Sequence, residues 1–307
     1  MDEVIDCSRA TQHIWAHHRI LPEWVHEACN DIDRVILDPD PSSHIRQMSG
    51  AWVHKTLGTV PDMPTVTVIT AAGPAAGEFL GEAGDSVRAA TEPAWDLCWY
   101  VVADDDDPGQ VATIAQAARD AGADRVWSNA SRLWAGASRN RALAHVTTDF
   151  VVCLDADDLL TRQAPGAWAA AHAASPGTWS AFEVIDLHSD GTRSHHAQAW
   201  PDGPVARRAW ADHYAATGHH PAHPISVLWP TDLLIGLGGW AAAPAGADAS
   251  PILAASAAGP GYHLNVATHL YRRHPGQTTS QATRDAIGPA WQDALRLATR
   301  RADILSR

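Results

Sequence analysis

Lysine is almost absent from this chain: Lys55 is the only one in 307 residues, and arginine carries the rest of the basic charge. With 22 basic against 35 acidic side chains the formal net charge is −13. That balance excludes a nucleic-acid or anionic-membrane surface as the main partner, while leaving room for local phosphate sites. Cysteine is scarce too. Cys7, Cys29, Cys98 and Cys153 are widely spaced and form no paired metal motif, and Cys98 and Cys153 lie in apolar, strand-like runs. Buried free thiols in a reducing cytosol are the simplest reading. No apolar run approaches the roughly 20 residues of a membrane span, and the acidic N-terminus lacks a signal-peptide pattern. The expectation is therefore a cytoplasmic protein with no membrane span. Finally, no Gly-Xaa-Gly-Xaa-Xaa-Gly follows the first core strand, which argues against a dinucleotide dehydrogenase.

What the chain does have is a globular composition, 46% hydrophobic and 19% charged, and enough length for one large domain or two smaller ones. Residues 1–62 precede the first convincing core strand and are predicted to be a helical extension. Trp24, Val25, Ala28 and Ile32 fall at helical spacing after Pro22, and Ser43 could cap a second helix carrying Ile45, Met48 and Trp52, with Gly58 as its stop. From Thr65 the pattern becomes alternating. Thr65 to Thr70 is β-branched throughout, a helix is expected around Asp85-Ser86-Val87, and Asp96 to Ala103 reads as a second strand ending in Asp104-Asp105-Asp106-Asp107. A helix from Val111 to Ala121 and a short strand at Arg125-Val126-Trp127 follow. Strands alternating with helices predict an α/β fold with a mainly parallel sheet covered on both faces, whose ligand crevice lies at the carboxyl ends of the strands.

The centre of the chain is the run from Gly136 to Leu160. Ser138-Arg139-Asn140 sits in a helix-like segment that leads into the apolar strand Phe150 to Leu154 and then into Asp155-Ala156-Asp157-Asp158. Three carboxylates close together at the end of a buried strand repel one another by roughly 3 kcal/mol per pair at about 5 Å and an effective dielectric near 20. A hard divalent ion, Mg²⁺ or Mn²⁺, would relieve that repulsion and could hold a diphosphate.

In that order, Arg-Asn, short helix, apolar strand and Asp-Ala-Asp-Asp resemble glycosyltransferase family 2, whose nucleotide-sugar enzymes carry an Asp-Xaa-Asp motif on a GT-A fold. The resemblance covers about residues 65 to 280. It implies a GT-A domain over 63–280; after it, the spacing of Trp291, Ala294, Leu295 and Ala298 on one face predicts a C-terminal helix over 281–307. It also implies a metal-dependent, inverting transfer from a nucleotide-diphosphate sugar, a UDP-sugar foremost, to an acceptor that could be a small molecule or a peptide.

Site residues follow by the same resemblance. Asp104 and Asp105 take the place of the pair that contacts the nucleotide base, although the usual Gly-Ser after that pair is missing. Arg139, Asn140 and Asp155 fall on the donor side, and Asp157 on the metal. Gly238-Gly239-Trp240 precedes the position of an acidic pair whose aspartate is the base. Its first member here is Ala247, and Asp248 remains to take the acceptor's proton. Tyr271-Arg272-Arg273-His274 matches the segment near the diphosphate, with Arg272 to neutralise the leaving group and His274 to complete the metal shell. His219, His220 and His223 are expected to be surface or acceptor-cleft residues rather than metal ligands. Two other classes stay open: a nucleotide-sugar-binding relative without transfer activity, and a nucleotidyltransferase, for which Ala71-Ala72-Gly73-Pro74 is a poor phosphate loop.

Overall fold

The computed structural model describes most of residues 64–306, leaving out 75, 92–94, 196–199, 245, 275–276 and 278–280; before residue 64 it describes only 35–37 and 45–47. The chain divides into two compact units, Met1–Met63 and Pro64–Arg307. In the first, strands β1 (Val35–Leu37) and β2 (Ile45–Gln47) pair antiparallel, with Val35 opposite Gln47. The helix expected from Ser43 onwards therefore does not include residues 45–47. The run Val-Ile-Leu facing Ile-Arg-Gln suits extended chain better than helix. The rest of the expected helical extension lies outside the described residues.

The second unit is built on one long sheet. Its parallel half follows the sequence pattern: β3 (Thr65–Ala72), α1 (Leu80–Ala89), β4 (Asp96–Ala103), α2 (Pro108–Asp120), β5 (Arg125–Ser128), α3 (Trp134–Leu143) and β6 (Phe150–Cys153). β3 pairs parallel with β4 on one side (Thr65 to Asp96 through Ala72 to Ala103) and with β6 on the other (Val66 to Phe150 through Ile69 to Cys153). Because β3 is β-branched in six of its eight positions and almost wholly buried, it needs cover on both faces, and the crossover helices supply it. The chain leaves β3 toward β4 and β5 and returns on its far side as β6, so a topological switch point opens between β3 and β6 at their carboxyl ends.

The other half of the sheet is mixed. After β7 (Leu159–Leu160) and α4 (Ala164–Ala174) come β8 (Trp179–His188), β9 (Arg193–His195), β10 (Gly203–Val205), α5 (Ala209–Thr217), β11 (Val227–Pro230), α6 (Thr231–Gly236), α7 (Ala249–Ala258), β12 (Gly261–Arg273) and α8 (Gln281–Leu305). β11 runs antiparallel between β6 and β8, while β8 and β12 pair parallel, Tyr271 standing beside Asp186. The strand order is β10-β12-β8-β11-β6-β3-β4-β5. One core cluster gathers α1, α2 and α4 over one face through Val66, Val68, Trp95, Trp99 and Trp168. The other gathers α3, α5, α7 and α8 through Ile69, Trp179, Trp210, Trp229 and Trp240. Ala294, Ala298 and Ala302 of α8 are buried at every fourth position, which is the expected amphipathic face continued one turn.

Candidate active site

The loops that end β4, β6 and β12 hold the acidic and basic residues singled out above. In the turn after β4 the four aspartates have separate backbone tasks. The Asp104 carboxylate is buried, and its Oδ1 accepts from Asn129 Nδ2 (2.8 Å) and from the Leu133 N–H (2.7 Å). Asp105 is half-buried and accepts the Asp107 N–H at 3.0 Å. Asp106 accepts the Arg132 N–H at 2.9 Å, and Asp107 caps α2 by accepting the Gly109 N–H at 2.8 Å, with Pro108 at the first helical position. The turn thus ties the end of β4 to the loop after β5. The base contact expected of Asp104 is limited accordingly, because its Oδ1 is committed to that scaffold. Asn129 was not expected. Its buried amide also donates to Ser138 Oγ (2.9 Å) and accepts from Arg141 Nη1 (2.7 Å), so it joins β5 to α3.

Arg139 and Asn140, both expected on the donor side, have other neighbours. Arg139 is 1% exposed, and its fork is shared between two carboxylates: Nη2 donates to Asp155 Oδ1 at 2.5 Å and Nη1 donates to Asp248 Oδ1. Burial alone would lower the guanidinium's pKa, and the facing Asp248, Cys153 and Asp155 outweigh it and hold it above its ordinary value. Asn140 Nδ2 donates to the Trp240 carbonyl (2.8 Å) and its Oδ1 accepts the Trp240 N–H (2.9 Å). The side chain thus imitates a strand partner for a residue 100 positions away.

Two glycines make that clamp possible. Gly239 has φ +65°, and a Cβ there would lie 2.2 Å from Asn140 Oδ1; a Cβ on Gly136 would lie 1.9 Å from the Ala241 carbonyl. Helix α3 can therefore lie directly against the Gly-Gly-Trp turn that leads to Asp248. Asp248 occupies the position before α7 but makes no capping bond; its side chain turns to Arg139, with the Trp240 indole 6.0 Å from the Arg139 Cζ. Burial pushes the Asp248 carboxyl above the ordinary range, Asp155 adds to this, and Arg139 opposes both. Its side chain is still 31% exposed.

On the other side of the crevice, Asp157 Oδ2 and His274 Nε2 are 2.9 Å apart and both side chains remain partly open. Burial, together with Asp155, raises the Asp157 carboxyl, against the pull of His274. Asp158 is fully buried. Its Oδ1 accepts the Arg272 backbone N–H at 2.8 Å, and Arg272 Nε donates to the Asp157 carbonyl at 2.8 Å. Both bonds are donated by Arg272, and they bring the Asp-Ala-Asp-Asp loop and the end of β12 together across a sequence gap of more than 110 residues. The Arg272 fork ends on Glu82 Oε2 of α1 at 2.6 Å, and its Cζ lies 5.1 Å from the Phe79 ring.

Asp157 and His274 fit a hard divalent ion as a pair: one carboxylate and one imidazole, side by side and open to the crevice. Mg²⁺ and Mn²⁺ commonly take only one or two protein ligands and complete their shell with phosphate oxygens and water. Among the described residues no group of three or more His, Cys, Asp or Glu side chains could hold a metal ion. His219 is exposed, and the His220 and His223 rings lie tilted against Tyr214 (4.6 Å) and Tyr271 (4.8 Å). Cys153 is buried and its thiol pKa is pushed up by burial. His269, also buried, binds the Cys153 carbonyl through Nε2 at 2.8 Å and stays neutral, its pKa lowered to about 4.

A parallel half-sheet with acidic loops at its switch point, extended by a mixed half-sheet that supplies a further acid and a basic strand end, is the GT-A glycosyltransferase architecture. Residues 67–209, a little under half of the chain, match the model of Glycosyl transferase family 2. Among solved structures, S. aureus TarS residues 1–349 in complex with UDP-GlcNAc matches with a TM-score of 0.57 at 14% identity, over 78% of this chain and 66% of that one. The same TarS fragment in complex with UDP gives 0.55 at 13% identity, over 79% and 65%. The chain thus spans about two-thirds of the length of those TarS chains, and at these identities the likeness is one of fold. No curated protein matches the sequence. No described helix is long and apolar enough to cross a membrane.

Proposed function

We propose that this domain transfers a sugar from a nucleotide-diphosphate donor, a UDP-sugar, to an acceptor nucleophile, with a divalent cation and inversion at the anomeric carbon. The observation that carries the reading is the Arg139 fork, which holds Asp155 of the donor loop and Asp248 on one guanidinium. It puts a raised, partly exposed carboxylate next to the loop expected to hold the donor. Asp248 would take the acceptor's proton as the nucleophile attacks, and a carboxylate with an elevated pKa is the better base for that. Arg272 would face the diphosphate as charge develops on the leaving group. Asp157 and His274 would hold Mn²⁺ or Mg²⁺, which supplies Lewis-acid stabilisation of the departing diphosphate when bound. The TarS complexes with UDP-GlcNAc and UDP support uridine as the base to try first.

Calorimetric titration of UDP, GDP and TDP with and without Mn²⁺, on the wild type, Asp157→Ala and Asp248→Asn, tests this. The expected result is metal-dependent binding of one nucleotide that Asp157→Ala loses and Asp248→Asn keeps. With that nucleotide's sugar, Asp248→Asn should lose transfer by about 10²- to 10⁴-fold. Transfer that survives in Asp248→Asn would remove the residue from the base role.

A further inference from the structure

The Glu82 contact with Arg272 has no role in the reading above, and its geometry is specific. Arg272 is fixed at three points: Nε on the Asp157 carbonyl (2.8 Å), its backbone N–H on Asp158 Oδ1 (2.8 Å) and its carbonyl on Gln277 Nε2 (2.5 Å). The Phe79 ring lies beside the guanidinium. What remains adjustable is the outer end of the fork, and there Nη2 meets Glu82 Oε2 at 2.6 Å. The two partners differ in exposure. The Arg272 side chain is 18% exposed and anchored, whereas that of Glu82 is 60% exposed, on the first turn of α1, and free to swing into water.

From this geometry we infer that Glu82 is a placeholder anion: it occupies the end of Arg272 that a diphosphate takes, and so sets donor affinity and product release. The inference rests on the reading of Arg272 as the diphosphate residue. A carboxylate and a phosphate oxygen make the same charge-assisted bond to a guanidinium. A nucleoside diphosphate that takes the Nη2 end of the fork displaces Glu82 from it, and the leaving nucleotide gives the position back. The anchor at Nε keeps the guanidinium in place during the exchange, so only Glu82 moves. The cost of that exchange is the strength of an exposed ion pair, which corresponds to a factor of up to about five in affinity.

The test is calorimetric titration of UDP, GDP and TDP with Mn²⁺ on the wild type, Glu82→Gln, Glu82→Asp and Arg272→Gln. Glu82→Gln removes the charge. Glu82→Asp keeps it on the same turn of α1 but is one methylene too short for the contact, and so separates direct competition from a general field. Both Glu82 variants are expected to bind nucleotide roughly two- to fivefold more tightly, with stronger product inhibition, whereas Arg272→Gln binds more than about tenfold more weakly. Unchanged or weaker binding in both Glu82 variants, with the loss in Arg272→Gln intact, overturns the placeholder and leaves the functional reading standing. Tightening in Glu82→Gln alone replaces direct competition with a field effect and also overturns it. If Arg272→Gln binds as well as the wild type, or if the wild type binds no nucleotide, the reading of the site fails and the placeholder with it.

Discussion

Replacing Arg139 by methionine removes the charge that Asp155 and Asp248 share while filling most of the same volume. Arg139 is 1% exposed, so its two ion pairs are sheltered on the arginine side. Their carboxylates stay 33% and 31% exposed. Removing one partner of a buried pair costs about 3–5 kcal/mol. Water can still reach both acids, which places the expected loss at the low end, about 3 kcal/mol near neutral pH. The sign of its pH dependence follows from the charges left behind. Without Arg139 the two carboxylates repel, and burial already raises the Asp248 carboxyl. A carboxyl whose folded pKa lies above its unfolded one favours folding fully below the unfolded value and loses that contribution as pH rises through the folded value. The deficit of Arg139→Met is therefore smallest in acid and grows toward neutrality. Urea unfolding of wild type and variant at about pH 5 and about pH 8 measures it, and adding Asp248→Asn should return about 1–2 kcal/mol at the higher pH. A loss below about 1 kcal/mol that does not change with pH would refute the bridge as the element that holds these acids together.

Three further outcomes are expected. Gly239→Ala forces a side chain onto a φ of +65° and against Asn140 Oδ1, so it should cost about 2 kcal/mol or more; thermal unfolding within about a degree of the wild type would contradict this. Asn140→Ala leaves both the N–H and the carbonyl of Trp240 without their partner, with an expected loss of about 1–3 kcal/mol; unchanged unfolding would show that the clamp is dispensable. His269 is held neutral in the fold, with a pKa lowered from 6.5 to about 4 by burial, against its bond to the Cys153 carbonyl and the charge of Asp155. The unfolded chain takes up that proton first as pH falls, so stability should drop by up to about 3 kcal/mol between pH 6.5 and 4. Urea midpoints across that range should slope less in His269→Gln, and equal slopes would remove His269 as the cause.

The parallel half of the sheet is readable from residues 65–153 because each of its strands is a local, β-branched or apolar run bounded by turn chemistry. Asp96–Ala103, for example, has the same limits in sequence and structure. The mixed half is less readable, since nothing local tells Gly261–Arg273 to pair parallel with a strand some 80 residues earlier. The individual tasks of the site residues are the least readable of all. Arg139 and Asn140 belong to a recognisable motif, yet what each touches is decided by Asp248 and Trp240, 109 and 100 residues away. The four aspartates after β4 look alike as letters and differ in which backbone N–H each one meets and, for Asp104, in the Asn129 amide it also accepts. Glu82 gives no signal in the sequence, because its partner lies 190 residues on.

The Arg139 fork also bears on the order in which the chain assembles. Asp155 lies 16 residues from Arg139, within one helix-strand unit, whereas Asp248 lies 109 away. Short loops close with less entropic cost than long ones. The guanidinium and its nearer carboxylate are thus free to pair while the mixed half of the sheet is still unformed, and the second acid arrives at a centre already holding positive charge. A chain with Arg139 neutralised would meet the same carboxylates in the opposite circumstance, with repulsion rising as the last contacts close. Its refolding rate, and not only its stability, should record the difference.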